Sequence, residues 1–145
     1  MPGIVVGIDG SEHSHQVLEF AVKEAGLRKT SLTVLTVWQV AGNHWTGNPE
    51  LYPADQAEAE KMRQAAEEAT RQAVDAAGAQ GPTSVTVRAV SGIAPQELIS
   101  ASNDADLVIV GARGGGGFAR LMMGSTSNQV VSHSAAPVVV IPVGR

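Results

Sequence analysis

A glycine-rich stretch between an apolar run and a polar helical segment carries the strongest chemical signal in the sequence. Residues 107–110 predict a buried strand, and residues 125–133 predict a helix capped by Gly124 or Ser125. Glycine lets backbone approach a ligand closely, and the first N–H groups of a helix attract anions. The residues that bring these properties together are Gly111, Gly114, Gly124, Ser125 and Thr126. The stretch predicts a phosphate-binding loop, and a plain flexible crossover is the alternative, above all for residues 115–117.

Asp9 is the second candidate, because it ends the first apolar strand of the chain. Ligands of open α/β sheets lie beyond the carboxyl ends of the strands, so a carboxylate there can contact one. The alternative is that Asp9 only caps the turn before the first helix.

Patterns for other kinds of chemistry are missing from the sequence. The chain has no cysteine, which excludes disulfides, thiol catalysis and cysteine-based zinc sites. His13 and His15 follow the first strand without a partner at metal-ligand spacing, and are interpreted as ordinary polar loop residues. No lysine follows the glycines as in a Walker loop, and no paired carboxylates or Ser/His/Asp set can be supported. No catalytic residue or metal ligand is therefore assigned.

Length and charge narrow the class of protein. The chain has 145 residues and a formal net charge of −4, which gives no general reason to expect nucleic acid or an anionic membrane as a partner. The N-terminus enters a strand without a signal-like segment, and no apolar run approaches a membrane span. We therefore expect a cytoplasmic protein.

The elements that must position these residues alternate between strand and helix. The predicted strands cover residues 3–9, 31–38, 84–90, 107–110 and 137–143, and the predicted helices cover residues 14–27, 56–78, a segment that starts at Pro95, and 125–133. Gly26 is expected near the end of the first helix, where glycine is common. The alternation predicts an α/β fold with an open parallel sheet covered by helices on both faces, in a single domain over residues 1–145. Residues 39–55 show no periodicity and predict a long loop that could serve as a lid.

Four features in register resemble the universal stress protein family. They are residues 5–11 (Val-Val-Gly-Ile-Asp-Gly-Ser), residues 106–111 (Asp-Leu-Val-Ile-Val-Gly), the spacing of Gly111, Gly114, Gly124 and Ser125, and residues 132–140 (Ser-His-Ser-Ala-Ala-Pro-Val-Val-Val). The third matches the nucleotide signature of the family, which is glycine, two residues, glycine, nine residues, glycine, then Ser or Thr. The resemblance covers nearly the whole chain.

The resemblance implies a Rossmann-like fold of the adenine nucleotide alpha hydrolase type, with a five-stranded sheet of order 3-2-1-4-5. Strands one and four would then meet where the strand order reverses, which is where such sheets bind ligands. It also implies ATP there, with ADP or AMP as alternatives, and Mg²⁺ held by water and phosphate oxygens. The site residues it implies are Asp9 at the nucleoside end, the backbone of Val37 at the adenine, Val110, Gly111, Arg113 and Gly114 along the ribose and phosphates, and Gly124, Ser125, Thr126 and Ser127 at the phosphates.

The function implied is that of an ATP-binding regulatory protein of the stress response. A weak ATP-hydrolysing enzyme and an interaction module without nucleotide are the alternatives. An adenylating enzyme is disfavoured, because residues 8–12 lack a Ser-Gly-Gly-x-Asp-Ser loop. The last predicted strand, residues 137–143, is apolar on both faces yet ends the sheet order, so we expect a homodimer paired through it, as is common in the family.

Overall fold

The computed structural model describes residues 3–9, 13–38, 56–78, 84–112 and 124–142 of the chain. Within these residues the elements follow the order predicted from the sequence. They are β1 (Ile4–Ile8), α1 (His13–Arg28), β2 (Leu32–Trp38), α2 (Gln56–Ala76), β3 (Val85–Ser91), α3 (Ala94–Ser102), β4 (Leu107–Gly111), α4 (Ser125–His133) and β5 (Val138–Ile141). The predicted loop of residues 39–55 lies outside the described residues.

The five strands form one parallel sheet of order β3-β2-β1-β4-β5, which confirms the predicted Rossmann-like fold. β1 and β4 are central and apolar throughout, because successive side chains point to opposite faces and both faces are covered. On one face Val6 and Ile109 pack with residues of α1 and α2. On the other face Val5 and Val108 pack against α3 and α4. The sheet is thus a buried layer between two layers of helices.

The two outer strands differ from this pattern. The side chains of β3 alternate in burial, as its alternating sequence predicts for an edge position. All four side chains of β5 are half-buried, although its sequence is as apolar as that of a central strand. The mismatch arises because β5 has a strand neighbour on one side only within the described residues.

The strand pairing shows where the sheet opens. The ladder between β1 and β4 ends at Val6 and Ile109. β1 continues beside β2 as far as Ile8, and β4 continues beside β5 as far as Gly111. Past the end of their shared ladder, β1 and β4 each pair only with their outer neighbour. A crevice therefore forms at the carboxyl ends of the two central strands.

The end of α1 lies one residue beyond the predicted end at residue 27. Gly26 lies inside the helix, which continues to Arg28. The left-handed residue that follows is Lys29, with φ 55°. The amide of Lys29 donates to the carbonyl of Gly26 at 3.2 Å, and the amide of Thr30 donates to that of Ala25 at 3.0 Å, which is the Schellman arrangement. Gly26 thus lies near the end of α1, as predicted, and the left-handed position after the helix is occupied by Lys29.

Candidate functional site

A cavity of about 380 Å³ lies at the crevice between β1 and β4. Eight of the ten predicted site residues line it: Asp9, Val37, Val110, Gly111, Gly124, Ser125, Thr126 and Ser127. The other two, Arg113 and Gly114, lie outside the described residues. The rest of the lining consists of Gly7, Ile8, His13, Ser14, Val17, Leu35, Ala94 and Leu98. The fold therefore brings together residues from both ends of the chain.

The side of the cavity next to β2 is apolar. Apolar side chains are contributed there by Val37 of β2, Val110 of β4 and Leu98 of α3. Leu98 comes close to the sheet because Gly7 has no side chain. A Cβ at Gly7 would lie only 2.7 Å from the Cδ2 of Leu98. β2 also extends past the last residue pair of the β1–β2 ladder, Ile8 with Thr36. Its backbone at Val37 is therefore without a β1 partner and faces the crevice.

Asp9 follows the last residue of β1 and is exposed at the cavity. Its carboxylate Oδ1 accepts a hydrogen bond of 2.8 Å from the hydroxyl of Ser14. The amide of Asp9 donates to the same hydroxyl oxygen at 3.2 Å. The carboxylate is thus held in place by the first turn of α1, while it remains open to the cavity.

The N-terminus of α4 also lines the cavity. Gly124 is the N-cap residue, in an extended conformation and without a side-chain cap. The first helical hydrogen bond runs from the amide of Asn128 to the carbonyl of Gly124, so the N–H groups of residues 125–127 have no acceptor within the helix. The hydroxyls of Ser125 and Thr126 lie at the same point, and neither has a hydrogen-bond partner within the described part of the chain. Donors are therefore concentrated here at the positive end of a helix dipole.

Hydrogen bonds join the two ends of the glycine-rich segment. The amide of Gly124 donates to the carbonyl of Ala112 at 2.6 Å. The hydroxyl of Ser127 lies 2.9 Å from the same carbonyl oxygen and 3.0 Å from the carbonyl oxygen of Gly124. Ser127 is only 2% exposed. Its hydroxyl hydrogen is therefore engaged in closing the base of the segment between residues 112 and 124.

Sequence reasoning missed His13 and Ser14 as site residues. His13 is the first residue of α1 and not a loop residue, and it lines the cavity. His15 is exposed and does not line it. The signal available in the sequence was position alone: both residues begin the helix that follows β1, at the carboxyl edge of the sheet. Among the described residues, no three His, Asp or Glu side chains gather as a metal site.

The doubly wound parallel sheet, with a crevice at its switch point and a helix N-terminus at the crevice, defines a Rossmann-like α/β protein. Comparison of the sequence with protein families narrows this class. The Universal stress protein family matches residues 2–142. The chain belongs to the universal stress protein family.

Curated relatives agree with this membership. A universal stress protein of Mycolicibacterium smegmatis is 31% identical over 139 residues, which cover 96% of this chain and 47% of the relative. One of Mycobacterium tuberculosis is 32% identical over 141 residues, with the same two shares. The chain thus spans about half the length of these curated relatives.

Solved structures show the same fold. The universal stress protein UspA from Lactobacillus plantarum has a TM-score of 0.78 and 25% identity, and the match covers 97% of each chain. A universal stress protein solved in complex with cAMP has a TM-score of 0.69 and 23% identity over 99% of this chain and 98% of its own. Within the residues described in this chain, no helix has the length and apolarity needed to cross a bilayer.

Proposed function

We propose that this chain is a nucleotide-dependent regulatory protein of the stress response, and that it binds ATP in the crevice between β1 and β4. The observation that carries the proposal is the polarity of one cavity. Its β2 side is apolar, and its lining includes a helix N-terminus whose N–H groups at residues 125–127 and hydroxyls at Ser125 and Thr126 have no acceptor among the described residues. A nucleotide has the same division between a flat base and an anionic phosphate chain.

The adenine fits the apolar side of the cavity. The side chains of Leu98 and Val110 supply apolar contact for the flat base, and the backbone of Val37 offers hydrogen bonds to its edge. The carboxylate of Asp9 suits the nucleoside, because it accepts hydrogen bonds from hydroxyl or amino groups and would repel phosphate. Asp9 thereby favours one orientation of the ligand, with its phosphates directed at α4.

The phosphates fit the beginning of α4. The N–H groups of residues 125–127 and the hydroxyls of Ser125 and Thr126 supply donors, and the helix dipole favours negative charge. Gly111, Gly114 and Gly124 belong to the glycine signature of the family, and the family resemblance also implies Arg113 along the ribose and phosphates. Ser127 has a different role in this scheme: its hydroxyl bonds to the carbonyls of Ala112 and Gly124, which flank the glycine-rich segment.

Mg²⁺ fits this site as a companion of the phosphates. The protein groups around the phosphate end are hydroxyls and amides, and Mg²⁺ commonly keeps several waters and binds phosphate oxygens directly. When bound, the ion neutralises part of the phosphate charge. Ser125 and Thr126 then orient the phosphate chain through hydrogen bonds. The hydroxyl and carboxylate that pair in the described lining, Ser14 and Asp9, lie at the end that we assign to the nucleoside, which favours a regulatory binding protein over an efficient hydrolase.

The solved complex of a relative with cAMP supports a nucleotide as the ligand class and makes cAMP the most informative competitor. Mass spectrometry of the intact complex, on freshly purified protein, identifies any nucleotide that is carried. Calorimetric titrations with Mg-ATP, ADP, AMP and cAMP then rank the ligands. We expect ATP to bind most tightly, because it offers the most phosphate oxygens to α4. Failure of every nucleotide to bind would favour an interaction module instead.

Two variants locate the phosphates. Gly114→Val should abolish detectable ATP binding, since a branched side chain would obstruct the backbone donors of the loop. Ser125→Ala removes one hydroxyl and should weaken binding by about 1–3 kcal/mol, the range for a hydrogen bond to a charged group. Ser132→Ala is the matched control, because Ser132 is an exposed serine in the last turn of the same helix. Unchanged affinity in both test variants would remove α4 as the phosphate site.

A further inference from the structure

His13 connects the cavity to the outer strand β5. Its ring lines the cavity, and its Nε2 lies 3.1 Å from the carbonyl oxygen of Ile141, the last residue of β5. Its Nδ1 lies 3.1 Å from the side-chain oxygen of Gln16, one turn further along α1. A carbonyl oxygen only accepts hydrogen bonds, so the bond to Ile141 requires that Nε2 carries the hydrogen. In the neutral ring Nδ1 is then an acceptor, and the Gln16 amide must turn its NH2 group toward it.

The ring reaches β5 by crossing the end of β4. Gly111 lies directly beneath it: a Cβ at that position would stand 2.9 Å from the Cδ2 and 3.0 Å from the Nε2 of His13. Glycine therefore leaves the space that the imidazole occupies. Because Gly111 also lines the cavity, a ligand that contacts this end of β4 must lie against the ring or displace it.

The carbonyl of Ile141 is shared by two donors. Besides His13, it accepts the amide of Ala112 at 2.8 Å. The carbonyl of Ala112 in turn accepts the amide of Gly124 at the beginning of α4. The hydrogen bonds therefore run from α1 through the end of β5 to the helix N-terminus at which we place the phosphates.

We propose that His13 is a positioning residue that couples nucleotide in the cavity to the end of β5. Bound nucleotide restrains the ring, and the restrained ring holds the carbonyl of Ile141 more firmly. Coupling of this kind is reciprocal, so loss of the ring must change the response of β5 and also the affinity of the cavity. This inference rests on the proposed function, and it adds a route by which bound nucleotide affects β5, the outer strand of the described sheet.

NMR on the full chain tests the coupling with Mg-ATP as the probe. Long-range proton–nitrogen spectra report the hydrogen on Nε2 of His13, and hydrogen exchange of the Ala112 amide reports the carbonyl that the two donors share. In the parent protein we expect a hydrogen on Nε2, a shift of the His13 ring signals on titration, and slower exchange of Ala112 with nucleotide bound.

Three variants separate coupling from a merely structural contact. His13→Ala should speed exchange of Ala112 about two- to tenfold, as for loss of one ordinary hydrogen bond, and should abolish the slowing by nucleotide. His13→Gln retains an N–H donor of similar reach and should restore the slowing. His15→Ala is the control, since His15 is an exposed residue of the same helix outside the cavity lining. Protection of the Val34 amide, which alternation from the Leu32 amide directs toward β3, checks that the sheet of each variant is intact.

The outcomes distinguish this inference from the proposed function. If nucleotide shifts the amides of Ser125 and Thr126 but not the His13 ring, or if His13→Ala keeps the slowing at Ala112, the coupling is refuted while the binding site stands. If nucleotide shifts none of these signals in the parent protein, the proposed function fails and the coupling fails with it.

Discussion

Ser14 holds Asp9 through two hydrogen bonds of opposite direction. Its hydroxyl donates to the carboxylate Oδ1 at 2.8 Å and accepts from the Asp9 amide at 3.2 Å. Ser14 is buried, whereas Asp9 is exposed at the cavity. The end of β1 is therefore fastened to the first turn of α1, and the one carboxylate among the predicted site residues has a defined direction.

Ser14→Ala should lower both stability and nucleotide affinity. It removes a donor to a charged group and the acceptor of the Asp9 amide, so we expect a loss of about 1–3 kcal/mol in the free energy of unfolding. Nucleotide affinity should fall less than in Asp9→Ala, because the carboxylate is still present and has lost only the Ser14 hydroxyl. Urea unfolding and calorimetric titration measure the two effects, and equal affinity in Ser14→Ala and the parent would show that the orientation of Asp9 is unimportant.

Ser127→Ala should lower mainly the stability of the protein, whereas Ser125→Ala should lower mainly its nucleotide affinity. The buried hydroxyl of Ser127 supports the carbonyls of Ala112 and Gly124, so its removal should cost about 0.5–1.5 kcal/mol of stability. The exposed hydroxyl of Ser125 has no partner within the described residues, so its removal should leave stability unchanged and weaken nucleotide binding. Thermal unfolding without nucleotide separates the two variants. A stability loss in Ser125→Ala with none in Ser127→Ala would contradict these assignments.

Lys29→Gly should stabilise the protein. Lys29 occupies the left-handed position after α1, with φ 55°, where a side chain is unfavourable and glycine is not. We expect a gain of about 0.5–1 kcal/mol and a higher melting temperature. Lys23→Gly is the matched control: Lys23 is exposed in the middle of the same helix, where glycine should cost about 1 kcal/mol. The prediction fails if both variants are destabilised alike.

The open side of β5 remains our predicted homodimer interface. The carbonyls of Pro137 and Ile141 accept amides of β4, so alternation along the strand turns the backbone groups of Val138 and Val140 away from the sheet. Val140→Pro should then remove an outward donor without breaking the β4 ladder. Sedimentation should show a dimer for the parent and a monomer for the variant. A folded variant that stays dimeric would place the interface elsewhere.

The ion pairs on α2 predict one pH effect. A hydrogen bond from Arg71, followed by one from Arg63, lowers the pKa of Glu67 below its ordinary value. A lowered pKa means that the pairing stabilises the fold above the ordinary carboxyl range, and that this contribution is lost as the pH falls through the lowered pKa. Arg71→Gln should raise the pKa of Glu67, as followed by NMR titration. Arg28→Gln, which removes a comparable pair with Glu24 on α1, should leave it unchanged.

Much of the fold was readable in the sequence because its signals are local. The unbroken apolar runs of β1 and β4 predict central strands, and the alternation in β3 predicts an edge. Gly124 and Ser125 mark the start of α4 to within one residue. These signals depend on the periodicity of apolar side chains and on residues a few positions apart, so they can be interpreted without knowledge of the fold.

Tertiary structure alone decided the contacts that complete the cavity. The hydrogen bond from His13 to Ile141 joins residues 128 positions apart, and no local pattern marks either partner. Ser127 and Ser125 are the same residue type on the same turn, yet one hydroxyl is buried against the carbonyl of Ala112 and the other is exposed. Rotation about the helix axis and the packing of α4 on the sheet set that difference. The sequence determined which groups reach the carboxyl edge of the sheet, and the packing of the helices determined which of those groups face the cavity.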